Sequence, residues 1–108
     1  MIVARHLYHP LPGKAADVLK QRQLACDVRE KLGLLRGRVL ARVRGDAERA
    51  AVVWEWEYPD AAAYDQDMDT QSASDEFMAV RRHMRTLIER MDRVLFEVVR
   101  PADPPRSS

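Results

Sequence analysis

Hydrophobic and polar positions change period several times along the chain, and each change marks a new secondary-structure element. Residues 2–9 are rich in β-branched and aromatic side chains and end at a Pro/Gly turn over 10–13, which predicts a strand. Over residues 14–32 apolar positions recur at steps of three and four, and Gly33 follows where a helix C-cap belongs, which predicts a helix. The inner stripe of this helix is expected to contain Val18, Gln21, Leu24, Ala25, Val28 and Leu32, and its outer side Lys20, Arg22, Asp27, Arg29 and Glu30.

Two alternating segments follow and predict a β-hairpin. Residues 36–44 and 50–58 alternate between apolar and polar side chains, and a turn over 45–48 separates them. The second strand is expected to end at the next proline, which cannot donate a hydrogen bond to a neighbouring strand. After it, Asp60 is expected to cap a short helix that runs through Met68.

The remaining part of the chain predicts one further helix and one strand. Ser72 or Ser74 can cap this helix, and the strand is expected over residues 94–99. The apolar stripe of the helix is expected to comprise Phe77, Val80, Met84, Leu87, Ile88 and Met91.

The order of these elements, βαββαβ, predicts an α+β fold of the ferredoxin-like type, with a four-stranded antiparallel sheet and its helices on one face. The face under the helices is expected to hold Ile2, Ala4, His6, Tyr8, Val39, Ala41, Val43, Val52, Trp54, Trp56 and Tyr58. The opposite face is expected to hold Val3, Arg5, Leu7, His9, Arg38, Leu40, Arg42, Val53, Glu55, Leu95, Glu97 and Val99. Because this second face mixes apolar and charged side chains, a homodimer through the sheet faces is predicted, with Arg42 beside Glu55.

Composition and charge narrow the classes of function. A length of 108 residues corresponds to a single domain, here residues 1–100, followed by a C-terminal tail over 101–108 that is expected to be disordered. The 18 basic and 17 acidic residues leave a net charge of +1, so the surplus of cations that nucleic-acid binding requires is absent. No apolar run approaches the ~20 residues that span a bilayer. Because the sequence begins directly with the first predicted strand, no targeting leader is expected. One cysteine, Cys26, excludes an internal disulfide, and a soluble cytoplasmic protein is expected.

Three stretches carry a resemblance to a known family: LPGK at residues 11–14, VVWEWEYPDAAA at residues 52–63, and RVL at residues 93–95 leading to Pro101. With them, and over residues 1 to about 101, the chain resembles the dimeric α/β-barrel superfamily, most closely its NIPSNAP-like branch and more loosely the antibiotic-biosynthesis monooxygenases. The resemblance implies a dimer and, in the enzymes, a pocket between helices and sheet. Its motifs are structural, so they predict fold more strongly than activity.

Haem-degrading members of this superfamily are similar to the chain around residues 74–77. They use an Asn on the first strand together with a Trp and a His near the second helix, and the corresponding positions are His6, Gln71 and Arg81. The sequence contains no asparagine. Haem degradation is therefore disfavoured, and no cofactor is predicted.

The candidate site residues are expected around the pocket that the resemblance implies. His6 is the candidate catalytic base, because an imidazole titrates near neutral pH, and a hydrogen-bonded core or interface histidine is the alternative. The ligand-binding candidates are Trp54, Trp56, Tyr58, Tyr64, Met68, Phe77, Arg81 and Met84. Simple core packing is the alternative for the aromatic residues. No metal site is predicted, since no His, Cys, Asp or Glu group has convincing ligand spacing.

Three functions remain open at this point. The first is a protein that binds a small apolar or aromatic molecule, and the second is a cofactor-free monooxygenase acting on a phenol or quinol. In the enzyme, His6 would be the base, and Trp56 and Tyr64 would orient the ring. The third is a purely structural dimer. An open, partly polar cavity beside His6 would favour the enzyme, an open dry one the binding protein, and a filled cleft the structural dimer.

Overall fold

A computed structural model describes residues 1–100 of the chain, and the tail expected at 101–108 lies outside the described residues. The elements are β1 (Ile2–Pro10), α1 (Ala15–Lys31), β2 (Arg38–Ala41), β3 (Val52–Tyr58), α2 (Ala61–Ser72), α3 (Asp75–Arg85) and β4 (Ile88–Glu97). The strands form one antiparallel sheet in the order β2-β3-β1-β4. The predicted ferredoxin-like α+β fold is confirmed. Within the described residues, no helix is both long and apolar enough to cross a membrane.

The helices pack against the face of the sheet that carries the aromatic side chains of β3. One buried cluster joins the two layers and contains Ala4, Tyr8, Val18, Cys26, Val52, Trp54, Tyr58, Tyr64, Met84 and Leu87. The alternation predicted for β1 and β3 is therefore correct. Val43, which was expected on this face, is 99% exposed, because β2 ends at Ala41. Beyond that point Arg42 donates hydrogen bonds to the carbonyls of Asp46 and Arg49, so this segment closes a loop rather than extending the strand.

Two helix caps form as the sequence predicts. Asp60 accepts a hydrogen bond from the amide of Ala63 at 2.8 Å, and Ser74 accepts one from the amide of Phe77 at 3.1 Å. The helix α2 is longer than expected, however, and its last residue is Ser72. Ser74 is therefore the cap of α3.

The expected helical stripe through Ile88 and Met91 is wrong. The helix α3 ends at Arg85, and both residues lie on β4, which begins six residues earlier than predicted. The last turn closes with hydrogen bonds from the amides of residues 86 and 87 to carbonyls three positions earlier. No glycine or proline marks this turn in the sequence, and apolar residues continue at helical spacing on both sides of it. The end of the helix was therefore not recognisable from the sequence.

Two arginines expected on the outer side of α1 are buried. Arg22 is 5% exposed and Arg29 is fully buried, whereas Leu24, expected on the inner stripe, is 46% exposed. The guanidinium carbons of Arg22 and Arg29 lie 5.2 and 4.7 Å from the centroid of the Trp54 ring. Arg29 also forms an ion pair with Asp67 at 2.6 Å. These contacts stabilise the two cations inside the fold, and none of them is visible as a local pattern.

The sheet face turned away from the helices is called the open face. The strand registers place on it Val3, Arg5, Leu7, Arg38, Leu40, Val53, Glu55, Asp92, Val94 and Phe96. Leu95 and Glu97, which were expected here, lie instead on the face of Ala4 and Ile2, and Val99 follows the end of β4. Both sets of alternate residues in this strand include apolar side chains, so the sequence did not determine which set faces the helices.

An ion-pair row crosses the open face. Glu55 accepts a hydrogen bond from Arg38 at 2.8 Å and another from Arg5 at 3.2 Å. Although burial opposes ionisation, these two arginines hold the pKa of Glu55 below its ordinary value. The expected neighbour, Arg42, does not contact Glu55, so the predicted pairing of these two residues is wrong.

Gly37→Ala should lower the free energy of unfolding by about 2–4 kcal/mol. Gly37 has a φ of 71°, and an added Cβ would lie 2.6 Å from Nε1 of Trp54 and 2.9 Å from the carbonyl oxygen of Glu55. The indole cannot easily move, because Nε1 donates a 2.9 Å hydrogen bond to the carbonyl of Arg36.

Gly33→Ala is the matched control in a chemical denaturation experiment. Gly33 has a similar φ of 77°, but an added Cβ would meet no atom within 4 Å. This substitution should therefore cost only the backbone strain, about 1 kcal/mol. Equal losses for the two variants would contradict the close contact at Gly37.

Candidate functional site

A pocket of about 310 Å³ lies between α3, β4 and the central strand β1, with α1 along one side. The strand β1 contributes His6 and Tyr8, because alternate residues of a strand face the same side. The helix α3 contributes Phe77, Val80, Arg81 and Met84, which recur at helical spacing. Strand pairing and helical periodicity therefore bring both sets of side chains to one cavity.

Hydrogen bonds fix the polar side chains at the base of the pocket. His6 is 3% exposed, and its Nε2 lies 3.0 Å from the hydroxyl of Tyr64, which reaches it from α2. The hydroxyl of Tyr8 accepts a 2.8 Å hydrogen bond from Nη1 of Arg22. Gln71 also lines the cavity, and its side-chain oxygen accepts a hydrogen bond from Arg29 at 2.7 Å. These contacts hold the base of the pocket in one geometry.

The imidazole of His6 is neutral in this environment. Burial is the largest cause that lowers the pKa of His6, and together with the nearby cations Arg22, Arg93, Arg29 and Arg81 it brings this pKa from 6.5 to about 3. A neutral imidazole can donate or accept a hydrogen bond to a ligand. It is a weak base at neutral pH, however, because its conjugate acid is strongly disfavoured.

The other residues that line the pocket are mainly cationic or apolar. Five arginines line the pocket and Glu89 is the one acidic residue among the lining side chains. Of these arginines, Arg90 pairs with Asp92, whereas the other four form no ion pair with any residue of the described part of the chain: Arg22, Arg81, Arg85 and Arg93. The apolar part consists of Ala25, Phe77, Val80, Met84, Ile88 and Met91. The pocket therefore combines a positive field with an apolar wall.

No family model matches the sequence, and no curated protein matches it either. Solved structures do match. A NIPSNAP domain protein from Burkholderia xenovorans is 18% identical with a TM-score of 0.73, and the match covers 92% of this chain and 95% of that one. The fold is that of the NIPSNAP-like proteins.

Two further neighbours have the same topology. One is an antibiotic biosynthesis monooxygenase, 19% identical with a TM-score of 0.59, covering 93% of this chain and 100% of that one. The other is described as a dimeric protein of unknown function with a ferredoxin-like fold from Bacteroides fragilis, 13% identical with a TM-score of 0.61, covering 90% and 95%. At these identities the likeness establishes the NIPSNAP-like fold and not an activity.

The NIPSNAP-like fold brings only part of the predicted site together. His6, Phe77, Arg81 and Met84 line the pocket. The other candidates pack into or against the core cluster and do not line it: Trp54, Trp56, Tyr58, Tyr64 and Met68. Tyr64 still takes part indirectly, through its hydrogen bond to His6.

Sequence reasoning missed two arginines that line the pocket, Arg22 and Arg93. Arg22 was expected on the outer side of α1, and Arg93 was expected only as the start of the last strand. The sequence contains 15 arginines and three lysines, and this excess was the one available signal, but it does not locate either residue. Among residues 1–100, no three His, Cys, Asp or Glu side chains lie close enough together to hold a metal ion.

Proposed function

We propose that this protein is a homodimer that binds a small organic molecule in the pocket between α3, β4 and β1. The observation that carries the proposal is the open cavity of about 310 Å³, in which a few fixed polar groups face an apolar wall. Its volume is at the lower end of the range for ligand sites, so a compact ligand is expected. Of the predicted contacts, those through His6, Phe77, Arg81 and Met84 are the ones that the pocket supports. A purely structural dimer has less support, because the cleft beside His6 is not filled.

The dimer part of the proposal rests on the open face. Leu40 and Phe96 are 39% and 46% exposed on it. The side chain of Glu55 is only 7% exposed, because its two arginines cover it. A second sheet placed on this face would cover the apolar side chains and leave the ion pairs satisfied. The Bacteroides fragilis neighbour of the same fold is described as dimeric, which supports a dimer here without indicating which surface forms it. The cytoplasmic location stays a prediction.

The monooxygenase alternative is supported by two observations. The chain is similar in fold to an antibiotic biosynthesis monooxygenase, and its cavity beside His6 is open and partly polar. The pKa of about 3 weakens the role of His6 as the base that deprotonates a phenol. Binding is therefore the better supported function, with oxidation of a bound phenol or quinol as the second candidate.

Filling the pocket should abolish ligand binding. We expect ligand-observed NMR with a panel of small aromatic acids, phenols and quinols to give hits for the natural protein, and Val80→Trp to lose them. Val80 is 9% exposed and faces the cavity, so an indole at this position would occupy it. Native mass spectrometry of the same preparation should report the mass of two chains.

Val43→Trp is the matched control, because Val43 is 99% exposed and lies away from the cavity. It should keep every hit. Hits that survive in Val80→Trp, or a panel without hits, would contradict binding in this pocket, provided that thermal unfolding finds both variants folded. A single-chain mass would contradict the dimer, and oxygen uptake with a bound quinol would favour the enzyme.

A further inference from the structure

We infer that the ligand of this pocket is an organic anion and that the buried Arg22 selects its charge. This inference rests on the proposed function and names the class of ligand. The structural reason is a comparison of two arginines on the same helix. Arg22 and Arg29 lie seven residues apart on α1, both are buried, and both lie over the ring of Trp54. They differ in whether a carboxylate accompanies them.

Arg29 has a complete set of partners. Its Nη1 and Nη2 donate to the two oxygens of Asp67 at 2.6 and 2.8 Å, and its Nε and Nη2 donate to the carbonyl of Leu35. Nη1 donates in addition to Gln71. This is the arrangement that a buried guanidinium requires, with a counter-charge and every donor direction in use.

Arg22 has no carboxylate partner within residues 1–100. Its Nη1 donates to the hydroxyl of Tyr8 at 2.8 Å, and its Nη2 has only a long 4.0 Å contact to the sulfur of Cys26. Its Nε is buried and has no hydrogen-bond partner among the described residues. Contacts with the rings of Tyr8 and Trp54 stabilise the cation in part. A buried charge without a counter-ion remains unfavourable, and Arg22 lines the pocket, where a ligand anion would supply that counter-ion.

The surrounding charges favour the same class of ligand. Arg81 and Arg93 also line the pocket without an ion-pair partner in the described chain. Burial, together with repulsion from Arg93 and Arg85, lowers the pKa of Arg81, which indicates that these cations face one another with little compensation. A bound anion would relieve this repulsion. His6 adds no positive charge, because its imidazole is neutral at physiological pH.

The apolar wall defines the other half of the ligand. Phe77, Val80 and Met84 lie on one side of the cavity, and Ile88 and Met91 lie on the other. A carboxylate or a phosphate monoester on a compact aromatic or aliphatic body would place its charge at the arginines and its apolar part against this wall. A fully hydrated inorganic anion would leave the wall uncovered.

The test compares three probes that share a naphthalene ring, namely 2-naphthoate, 2-naphthyl phosphate and the neutral 2-naphthylmethanol, by isothermal titration calorimetry on the natural protein. We expect at least one anion to bind about 10- to 100-fold more tightly than the alcohol. Whichever of the two anions binds more tightly identifies the ligand head group as carboxylate or phosphate. A higher salt concentration should lower the binding affinity of the two anions and leave that of the alcohol unchanged.

Two variants assign the preference to this pocket. Arg22→Met should bring the affinities of anion and alcohol to within a few-fold of each other, and Arg81→Gln should lower the anion affinity about tenfold. Arg81 is only half-buried, so its variant remains informative if Arg22→Met fails to fold. Arg82→Gln is the control, since Arg82 is the exposed neighbour that does not line the cavity, and it should bind as the natural protein does.

The outcomes separate this inference from the proposed function. Equal binding of the alcohol and the anions would overturn the inference and leave ligand binding in place. An anion preference that persists in both pocket variants and falls in Arg82→Gln would place the charge recognition outside the pocket and would also overturn it. Failure of all three probes to bind, with the panel above also without hits, would overturn both proposals.

Discussion

Replacing Arg29 with methionine should lower the free energy of unfolding by about 3–5 kcal/mol. Arg29 is fully buried, and its partner Asp67 has a side chain that is only 10% exposed. Removing the guanidinium leaves a carboxylate in the protein interior without its counter-ion, and it also leaves the carbonyl of Leu35 without two donors. The loss of stability therefore comes mainly from the Asp67 carboxylate and the Leu35 carbonyl, which remain without their partner.

Arg36→Met is the matched control in urea denaturation. Arg36 forms equally short ion pairs, at 2.5 Å with Asp27 and 2.6 Å with Glu30, but all three side chains are at least 37% exposed. Water screens such pairs, so this variant should lose only about 0–1 kcal/mol. Arg29→Met combined with Asp67→Leu removes both buried charges and should recover part of the loss. Equal effects of Arg29→Met and Arg36→Met would contradict the claim that burial, and not distance, determines the contribution.

Acidification should destabilise the fold through His6 by about 1.4 kcal/mol per pH unit below pH 6.5, and on the order of 4–5 kcal/mol in total by pH 3. In the folded protein the pKa of His6 is lowered to about 3, first by burial and then by the arginines around it. In the unfolded chain the imidazole titrates at its ordinary value of 6.5.

The sign follows from proton binding. Between pH 6.5 and 3 the unfolded chain binds a proton at His6 that the folded protein excludes, so falling pH favours unfolding. Above pH 6.5 the contribution is fully present and constant. The groups around the ring do not reverse this sign, since Arg22, Arg29, Arg81 and Arg93 are cations and Tyr64 is a neutral hydrogen-bond partner.

Denaturation curves at several values between pH 7.5 and 4.5 would measure this dependence in the natural protein and in His6→Gln. A glutamine can keep a hydrogen bond to Tyr64 but takes up no proton, so its stability should change much less over this range. His83→Gln, at an exposed histidine, should keep the slope of the natural protein. Parallel slopes for the natural protein and His6→Gln would show that His6 is not buried as a neutral group.

The sequence was sufficient for the elements whose two faces differ clearly. In β3, Trp54 and Tyr58 alternate with Glu55 and Glu57, so a single phase was consistent with burial, and the structure has that phase. The cap at Asp60 was equally visible, because it precedes an alanine-rich helix start directly. Local patterns of this kind predicted the topology.

The end of α3 and the phase of β4 needed information that the local pattern does not contain. Phe77 and Met84 belong to the helix and Ile88 and Met91 to the strand, yet all four fit one helical stripe. In β4 the neighbours Val94, Leu95 and Phe96 are all apolar, and only the pairing with β1 determines which of them faces the helices. Tertiary contacts therefore decided what periodicity left ambiguous.

The residues proposed from the sequence as a candidate site overlap only in part with the residues that line the pocket. His6, Phe77 and Met84 line the pocket and were expected on the inner faces of their elements. Arg81 also lines it, but it was expected off the apolar stripe and corresponds to a family position only through the resemblance. Arg22 was not predicted, since a charged residue on a helix is normally exposed and the groups that stabilise it, Tyr8 and Trp54, come from other elements. The proposed recognition of an anion in the pocket depends on this exception.

Alternate side chains of the nine-residue strand β1 point to opposite faces of the sheet and contribute to two different surfaces. His6 and Tyr8 face the pocket, while Arg5 and Leu7 lie on the open face. Substitution can therefore alter either surface during evolution without touching the other. Insertion or deletion of one residue cannot alter one surface alone, because it would move each set of side chains to the opposite face of the sheet and disrupt both surfaces at once. Among relatives that retain this fold, we expect the first strand to vary in composition but to keep its length.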